Sequence, residues 1–200
     1  MKVEPSALHG KEIHDFICGV VAPRPIAFIS TVDATGRYNA APFSTLNYLT
    51  LNPPILVFAS DRRGRKKKDT VMNIEAVGDF VVNMVDENMA EAMNQAAAAY
   101  PPEIDEIKEV GLIALKSDMV KSPRIAEAPI SMECRLMQTM EFGYKPTRST
   151  IIFGEVLMVH VKDEVMTRGK IDPLKAKIIA RLGDMDIYCR TTDVFKMKRL

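Results

Sequence analysis

Apolar and β-branched residues fall in short runs broken by prolines, glycines and charged clusters, and the longest runs stop well short of a membrane span. Pro23 and Pro25 flank Arg24 and impose an extended course, because a residue before proline avoids the helical region. Ile26–Thr31 then reads as a strand, Asp33–Gly36 as a turn and Tyr38–Ala41 as the returning strand of a hairpin. Asn52-Pro53-Pro54 stops the next segment, and Ile55–Ala59 has the continuous apolar character of a strand buried on both faces. Asp69 and Thr70 are candidate N-caps for a helix over Val71–Val77, which Gly78 ends.

The pattern continues with a strand over Phe80–Val85 and an alanine-rich helix over Asn88–Ala99, stopped at Pro101-Pro102. Residues 103–128 read as loop. Ser131–Met140 and Ser149–Lys162 read as long strands joined by a turn at Gly143–Pro146, and Pro173–Ala180 as a short helix. Residues 1–22 give no clear pattern. Six or seven strands with two or three helices between them predict a mainly β domain, an antiparallel barrel with peripheral helices, and not alternating βαβ units. Two hundred residues suit one domain, 1–200, with residues 1–20 and 170–200 as flanking segments.

Composition narrows the function. At 47% apolar and 26% charged residues the chain can bury a full core without disulfide staples. A net charge of +1 excludes a strong overall field for nucleic acid or an anionic membrane, so any basic site is local. Cys18, Cys134 and Cys189 are far apart and lack the spacing of a zinc site, which predicts reduced thiols, no bound metal and a cytoplasmic location. His160 ends a strand and reads as structural, and Glu155 as the partner of a lysine or arginine. No motif of a hydrolase, metalloprotease or nucleotide-binding loop is present, and no catalytic residue is assigned.

Two stretches carry candidate chemistry. Arg62-Arg63-Gly64-Arg65-Lys66-Lys67-Lys68 is strongly basic, which by itself describes a solvated loop. Its position changes the reading: a strand ends at Ser60 and a helix begins near Thr70. A helix start offers unpaired N–H groups and partial positive charge to a phosphate, and the Thr70 hydroxyl can donate to it. The second stretch is Asn39–Asn47, where Ser44, Thr45 and Asn47 supply polar groups after Pro42 ends a strand.

Taken together, these segments resemble the flavin reductase-like family of FMN-binding split barrels, which includes flavoredoxins and nitrilotriacetate monooxygenase component B. The matching pieces are Pro23–Thr31, Asn39–Asn47, Pro53-Pro54 with the strand to Ser60, Lys68-Asp69-Thr70 with Asn73-Ile74, and Phe80–Asn83. Further on, Glu106–Leu112, Ser122–Glu127, Glu133–Leu136, Gly154–Val156, Arg181–Gly183 and Tyr188–Thr192 also fit. The resemblance implies a homodimeric Greek-key split barrel with FMN at or near the subunit interface. It carries over Arg24, Ser44, Thr45, Asn47, Ser60, Lys68, Asp69 and Thr70 as cofactor-binding positions. It further implies an oxidoreductase that takes electrons from NADH or NADPH and passes them through FMN to a small acceptor or a partner oxygenase. A non-enzymatic, flavoredoxin-like electron carrier is the alternative.

Overall fold

The computed structural model describes residues 1–62, 64, 66–144, 148–183 and 186–198. Seven strands form one antiparallel sheet: β1 (Ala27–Val32), β2 (Tyr38–Phe43), β3 (Asn47–Leu51), β4 (Pro54–Asp61), β5 (Asp79–Met84), β6 (Ile130–Phe142) and β7 (Ser149–Val161). Their spatial order is β2-β1-β5-β6-β7-β4-β3. The two edge strands, β2 and β3, are therefore consecutive in the chain, with only Ser44–Leu46 between them. So short a connection forces the sheet to roll until its edges approach, without hydrogen bonds closing the seam. Rolled but unclosed, the sheet is a split barrel, as the resemblance implies.

Strand alternation sorts the core into two layers. Ala27 and Ile29 of β1 face the barrel interior, packed with Phe43, Phe58, Phe80, Val82, Cys134 and Ile152 from five other strands. Phe58 stacks at 5.1 Å on Phe43 and at 5.6 Å, edge-on, against Phe80. Helix α2 (Asp69–Val77) caps this interior with Val71 and Ile74. Ile26 and Phe28 point the other way, into a layer with Met89, Met93, Ala96, Ile107 and Ile125. Both faces of β1 are covered, so its residues, Ser30 and Thr31 included, are buried throughout. Ile55–Ala59, expected to be buried on both faces, is buried only at Phe58, because β4 pairs with the exposed edge strand β3.

Several expectations change. The interval over residues 1–22 contains a helix, α1 (Lys11–Val20), hidden because its N-cap is Gly10 with no capping side chain. The helix expected over Asn88–Ala99 is a 3₁₀ turn at Glu87–Met89 followed by α3 (Ala90–Gln95). Alanine propensity alone does not hold so short a helix in water, and the chain leaves it through tight turns at Ala97 and Ala98. The loop over 103–128 contains α4 (Glu106–Glu109) and two-residue strands at Ala114–Leu115 and Arg124–Ile125. The helix expected over Pro173–Ala180 ends at Ala176, as α5 (Pro173–Ala176). Lys177 turns left-handed there, and Ile179–Arg181 becomes a strand between Arg24–Pro25 and Tyr188–Arg190.

Gly78 ends α2 in the left-handed conformation, as expected. Asp69 and Thr70 are not its caps: Lys68 holds the N-cap position, and they are the first two helical residues. Of the turn expected at Gly143–Pro146, Lys145 and Pro146 lie outside the described residues, as do Arg63 and Arg65 of the basic run.

Buried polar groups stitch the loop over 117–125 to the sheet. Asp79 accepts the N–H groups of Lys121 and Ser122, each at 3.0 Å. The fully buried Asn83 amide takes the Ile125 N–H and the Ser131 hydroxyl. Glu133, also fully buried, accepts Asp118 N–H at 2.9 Å, Met119 N–H at 2.6 Å and His160 Nε2 at 2.6 Å. His160 is thus a structural partner, and Glu155 pairs with Arg135 at 2.7 Å, both as expected. No helix among the described residues is long and apolar enough to cross a membrane.

Candidate functional site

The rolled sheet brings the crossing Ser44–Leu46 against the end of β4. There the Thr45 hydroxyl donates to Ala59 O at 2.8 Å and accepts Ala59 N–H at 2.9 Å. One residue on is Ser60, 2% exposed, whose hydroxyl oxygen is buried with no hydrogen-bond partner. Ser60 shares the inward face of β4 with Phe58, which packs in the interior layer with Val71 and Ile74 of α2. The Lys68 ammonium lies 5.0 Å from the Phe43 ring centroid, linking the helix start to the Ser44 crossing.

A cavity of about 250 Å³ opens beside the start of α2. Lys66, Lys67, Lys68, Asp69 and Thr70 form one wall, Asn39, Ala41 and Pro42 of β2 another, and Ala96–Ala98, Tyr100, Pro102 and Glu106 the remainder. Helix geometry leaves the N–H groups of Asp69 and Thr70 without an intrahelical acceptor. With the helix dipole they form a positive end facing the lysines. The basic run is not uniformly available. Lys67 binds Glu75 at 2.6 and 2.9 Å, and Arg62 binds Glu141 at 2.6 Å, which Arg148 also approaches at 3.4 Å.

Of the sequence-predicted positions, Lys68, Asp69 and Thr70 line the cavity. Ser44, Thr45 and Ser60 are outside the cavity lining, at the crossing and the end of β4, which Thr45 joins through Ala59. Asn47 stands at the start of the exposed strand β3, its side-chain oxygen accepting Tyr48 N–H at 2.8 Å. Arg24 lies apart in the small sheet, donating to Cys18 O at 2.5 Å, Val21 O at 2.8 Å and Leu182 O at 2.9 Å. The Thr70 hydroxyl differs from expectation: fully buried, it donates to Asn39 Oδ1 at 2.9 Å. The backbone N–H of Thr70, at the second helical position, has no intrahelical acceptor.

Sequence reasoning missed the network behind Thr70. Asn39 Oδ1 also accepts from Thr31 Oγ1 at 3.2 Å, which takes Asn73 Nδ2 at 3.1 Å. Asn39 Nδ2 donates to Glu106 Oε1 at 2.8 Å. Glu106 is 7% exposed, and its other oxygen, Oε2, is buried without a partner. Burial pushes its carboxyl above the ordinary range, outweighing the backbone N–H groups of Glu106 and Ala40 and the Asn39 amide, and the Asp69 charge adds to the push. The available signal was polar Asn39 in a strand whose neighbours are apolar.

A split barrel with a lysine-lined cavity at a helix start is the class that fold and site together define. The chain belongs to the flavin reductase like domain family, whose model matches residues 21–175. It is 35% identical over 202 residues to an uncharacterized protein of Halalkalibacterium halodurans, covering 100% of this chain and 96% of that one. The structure of nitrilotriacetate monooxygenase component B from Bacillus cereus superposes with a TM-score of 0.94 at 30% identity, covering 98% of each chain. Pseudomonas fluorescens 2-nitrobenzoate 2-nitroreductase matches with a TM-score of 0.90 at 33% identity, covering 100% of this chain and 96% of that one.

Proposed function

We propose that this chain binds FMN by its phosphate at the start of α2 and works as an NAD(P)H-dependent flavin oxidoreductase. The observation that carries the reading is the buried Ser60 hydroxyl, which has no hydrogen-bond partner, taken with a cavity lined by three lysines and the first two residues of α2. A buried hydroxyl without a partner costs about 1–3 kcal/mol, and a phosphate oxygen would supply that partner. Ser60, Lys68 and the N–H groups of Asp69 and Thr70 would hold the phosphate, and Ser44, Thr45 and Asn47 the polar chain leading from it. The flavin, when bound, supplies hydride and electron transfer; the protein binds it, orients it and shields it. No acid or base among the site residues is required for that.

A homodimer fits this reading. A cavity of about 250 Å³ is below the range of roughly 300–1,000 Å³ typical of whole-ligand sites, so one chain encloses the phosphate end rather than an entire flavin. Tyr48, Leu49 and Leu51 of the edge strand β3 are 64%, 50% and 78% exposed, and Met137 and Phe142 of β6 are exposed as well. Apolar surface of this extent suits a second subunit. The whole chain is taken as one domain, located in the cytoplasm.

The acceptor is a small molecule or a partner oxygenase. The names of the two solved relatives support both directions, one being a monooxygenase component and the other a nitroreductase. The test is an absorption spectrum of the purified protein with FMN, before and after anaerobic NADH or NADPH. Bleaching of the flavin bands with turnover in air is the expected result. Protein that neither binds FMN nor oxidises either nicotinamide with it overturns the proposal. Tight, stoichiometric FMN with slow nicotinamide oxidation would establish the electron carrier instead. Lys68→Ala should weaken FMN more than riboflavin, because only FMN carries the phosphate.

A further inference from the structure

We propose that Glu106 is a proton-linked gate on the phosphate cavity, admitting an anion as the neutral carboxylic acid and repelling it as the carboxylate. The inference rests on the phosphate reading above and adds to it a residue and a coupling that the reading does not require.

Three observations place Glu106 in this role. It lines the same cavity as Lys66, Lys68 and Thr70. Its Oε1 accepts from Asn39 at 2.8 Å, and the backbone N–H groups of Glu106 and Ala40 also favour the carboxylate, while Oε2 is buried with no partner. A carboxylate in that setting leaves a charged oxygen unsolvated, whereas a carboxylic acid leaves only a hydroxyl waiting for an acceptor. Third, Asn39 passes its position to Thr70, whose hydroxyl it takes at 2.9 Å. Glu106 thus sits two hydrogen bonds from Thr70, whose backbone N–H would meet the anion.

The charged surroundings permit both protonation states. Asp69 on α2 lies on the same cavity and opposes ionisation of Glu106. Lys66, Lys67 and Lys68 favour it, Lys67 also pairing with Glu75 and Glu141, and Tyr100 lines the same cavity. From the β1–β2 hairpin, Asp33, Arg37 and Tyr38 share a smaller cavity with Glu106 and Asp69, and Arg37 pairs with Asp33 at 3.6 Å. A phosphate dianion entering this set adds negative charge beside the carboxyl and favours its protonated form. By linkage, binding then takes up a proton, and the affinity falls as pH rises.

The sign of the proton change separates this from the phosphate's own titration. A cationic cavity prefers the dianion and so releases the proton of a phosphate whose second ionisation lies near pH 6. Only a group such as Glu106 takes one up.

The test measures FMN and riboflavin dissociation constants of the full chain and of Glu106→Gln from pH 5.5 to 9, by quenching of flavin fluorescence. Wild-type FMN affinity is expected to fall with rising pH by up to about tenfold per unit, the limit for one linked proton, while riboflavin stays flat. In E106Q the FMN profile should lose that fall. Superposable FMN profiles for the two proteins overturn the inference while leaving the phosphate reading intact. A wild type that binds riboflavin as tightly as FMN at every pH brings down the phosphate reading, and the gate with it. Should E106Q fail to fold, calorimetry of FMN binding to the wild type in two buffers of different ionisation enthalpy decides. Net proton uptake within this range supports the gate, and none at any pH refutes it.

Discussion

Replacing Ser60 by alanine should move stability and FMN affinity in opposite directions. In the free protein the hydroxyl is 2% exposed and makes no hydrogen bond. A buried polar group in that condition costs about 1–3 kcal/mol, so removing it relieves a penalty rather than breaking a contact. Loss of one oxygen also leaves a small void, which offsets part of the gain. Ser60→Ala should therefore unfold at the same urea concentration as the wild type or a higher one. With FMN present the hydroxyl would meet a charged phosphate oxygen, and such hydrogen bonds are worth about 1.5–3 kcal/mol. The FMN dissociation constant should then rise roughly ten- to a hundredfold. Riboflavin, which lacks the phosphate, should bind the two proteins alike. Urea unfolding of the apoprotein and fluorescence titration with both flavins make the comparison. Unchanged FMN affinity, or equal losses for the two flavins, would refute the assignment. A clear fall in stability would show that the hydroxyl has a structural partner instead.

Gly154→Ala should be costly, because a Cβ there would lie 2.3 Å from Phe80 Cζ and 2.8 Å from Cε1. Phe80 is fully buried against Phe58, so the ring has little room to shift, and a loss of about 1–3 kcal/mol is expected as a lowered urea midpoint with unchanged slope. Arg24→Lys tests whether its binding to three backbone carbonyls or a cofactor contact matters: the structure predicts a lower melting temperature with FMN affinity unchanged. Burial pushes the Glu133 carboxyl up, but the N–H groups of Asp118 and Met119 and the His160 ring together hold it below the ordinary range. Its stabilisation is therefore present above the unfolded-state value near pH 4.3 and is lost as pH falls through the folded-state value. The stability gap between wild type and Glu133→Gln should accordingly narrow on acidification, measured by urea melts from pH 7 to pH 3.

What the sequence disclosed was whatever a local period or a single punctuating residue encodes. Strand β1 was legible because β-branched and apolar residues lie between the proline entry at Pro25 and the turn at Asp33–Gly36. Helix α2 was legible from Gly78, which alone supplies the left-handed stop. Strand β3 was not, since Tyr48–Leu51 pair only with β4 at the sheet edge and every one of its residues is exposed. The basic run drew attention as charge, yet Arg62 and Lys67 are engaged in ion pairs, and Lys66, Lys67 and Lys68 line the cavity. Glu106 was illegible for the converse reason. A glutamate on a four-residue helix reads as solvated surface, and only the tertiary packing of α4 against β2 shows it to be buried.

The position of the site follows from how the barrel is closed. Because β2 and β3 are the two sheet edges and are joined by Ser44–Leu46, the crossing must lie across the seam of the roll. Strand β4 pairs with β3, so its end at Ser60 is carried to the same seam, and Thr45 fixes the two together through Ala59. The chain that leaves β4 must return to cap the interior, and it does so as α2, with Val71 and Ile74 packed inward. Packing that face inward leaves the start of the helix at the rim of the barrel, beside β2. A buried hydroxyl, a helix start and a short polar crossing thus converge without any of them having been placed by the others' local sequence. This accounts for how the proposed phosphate site would be assembled from segments that are each weak signals alone. It also predicts that lengthening the Ser44–Leu46 crossing by one glycine should weaken FMN binding more than it lowers the melting temperature. The seam tolerates a longer connection, since loop length costs little in entropy, but Thr45 would lose its register with Ala59. A melting temperature that collapsed while the remaining folded protein bound FMN normally would show that the crossing serves the fold and not the site.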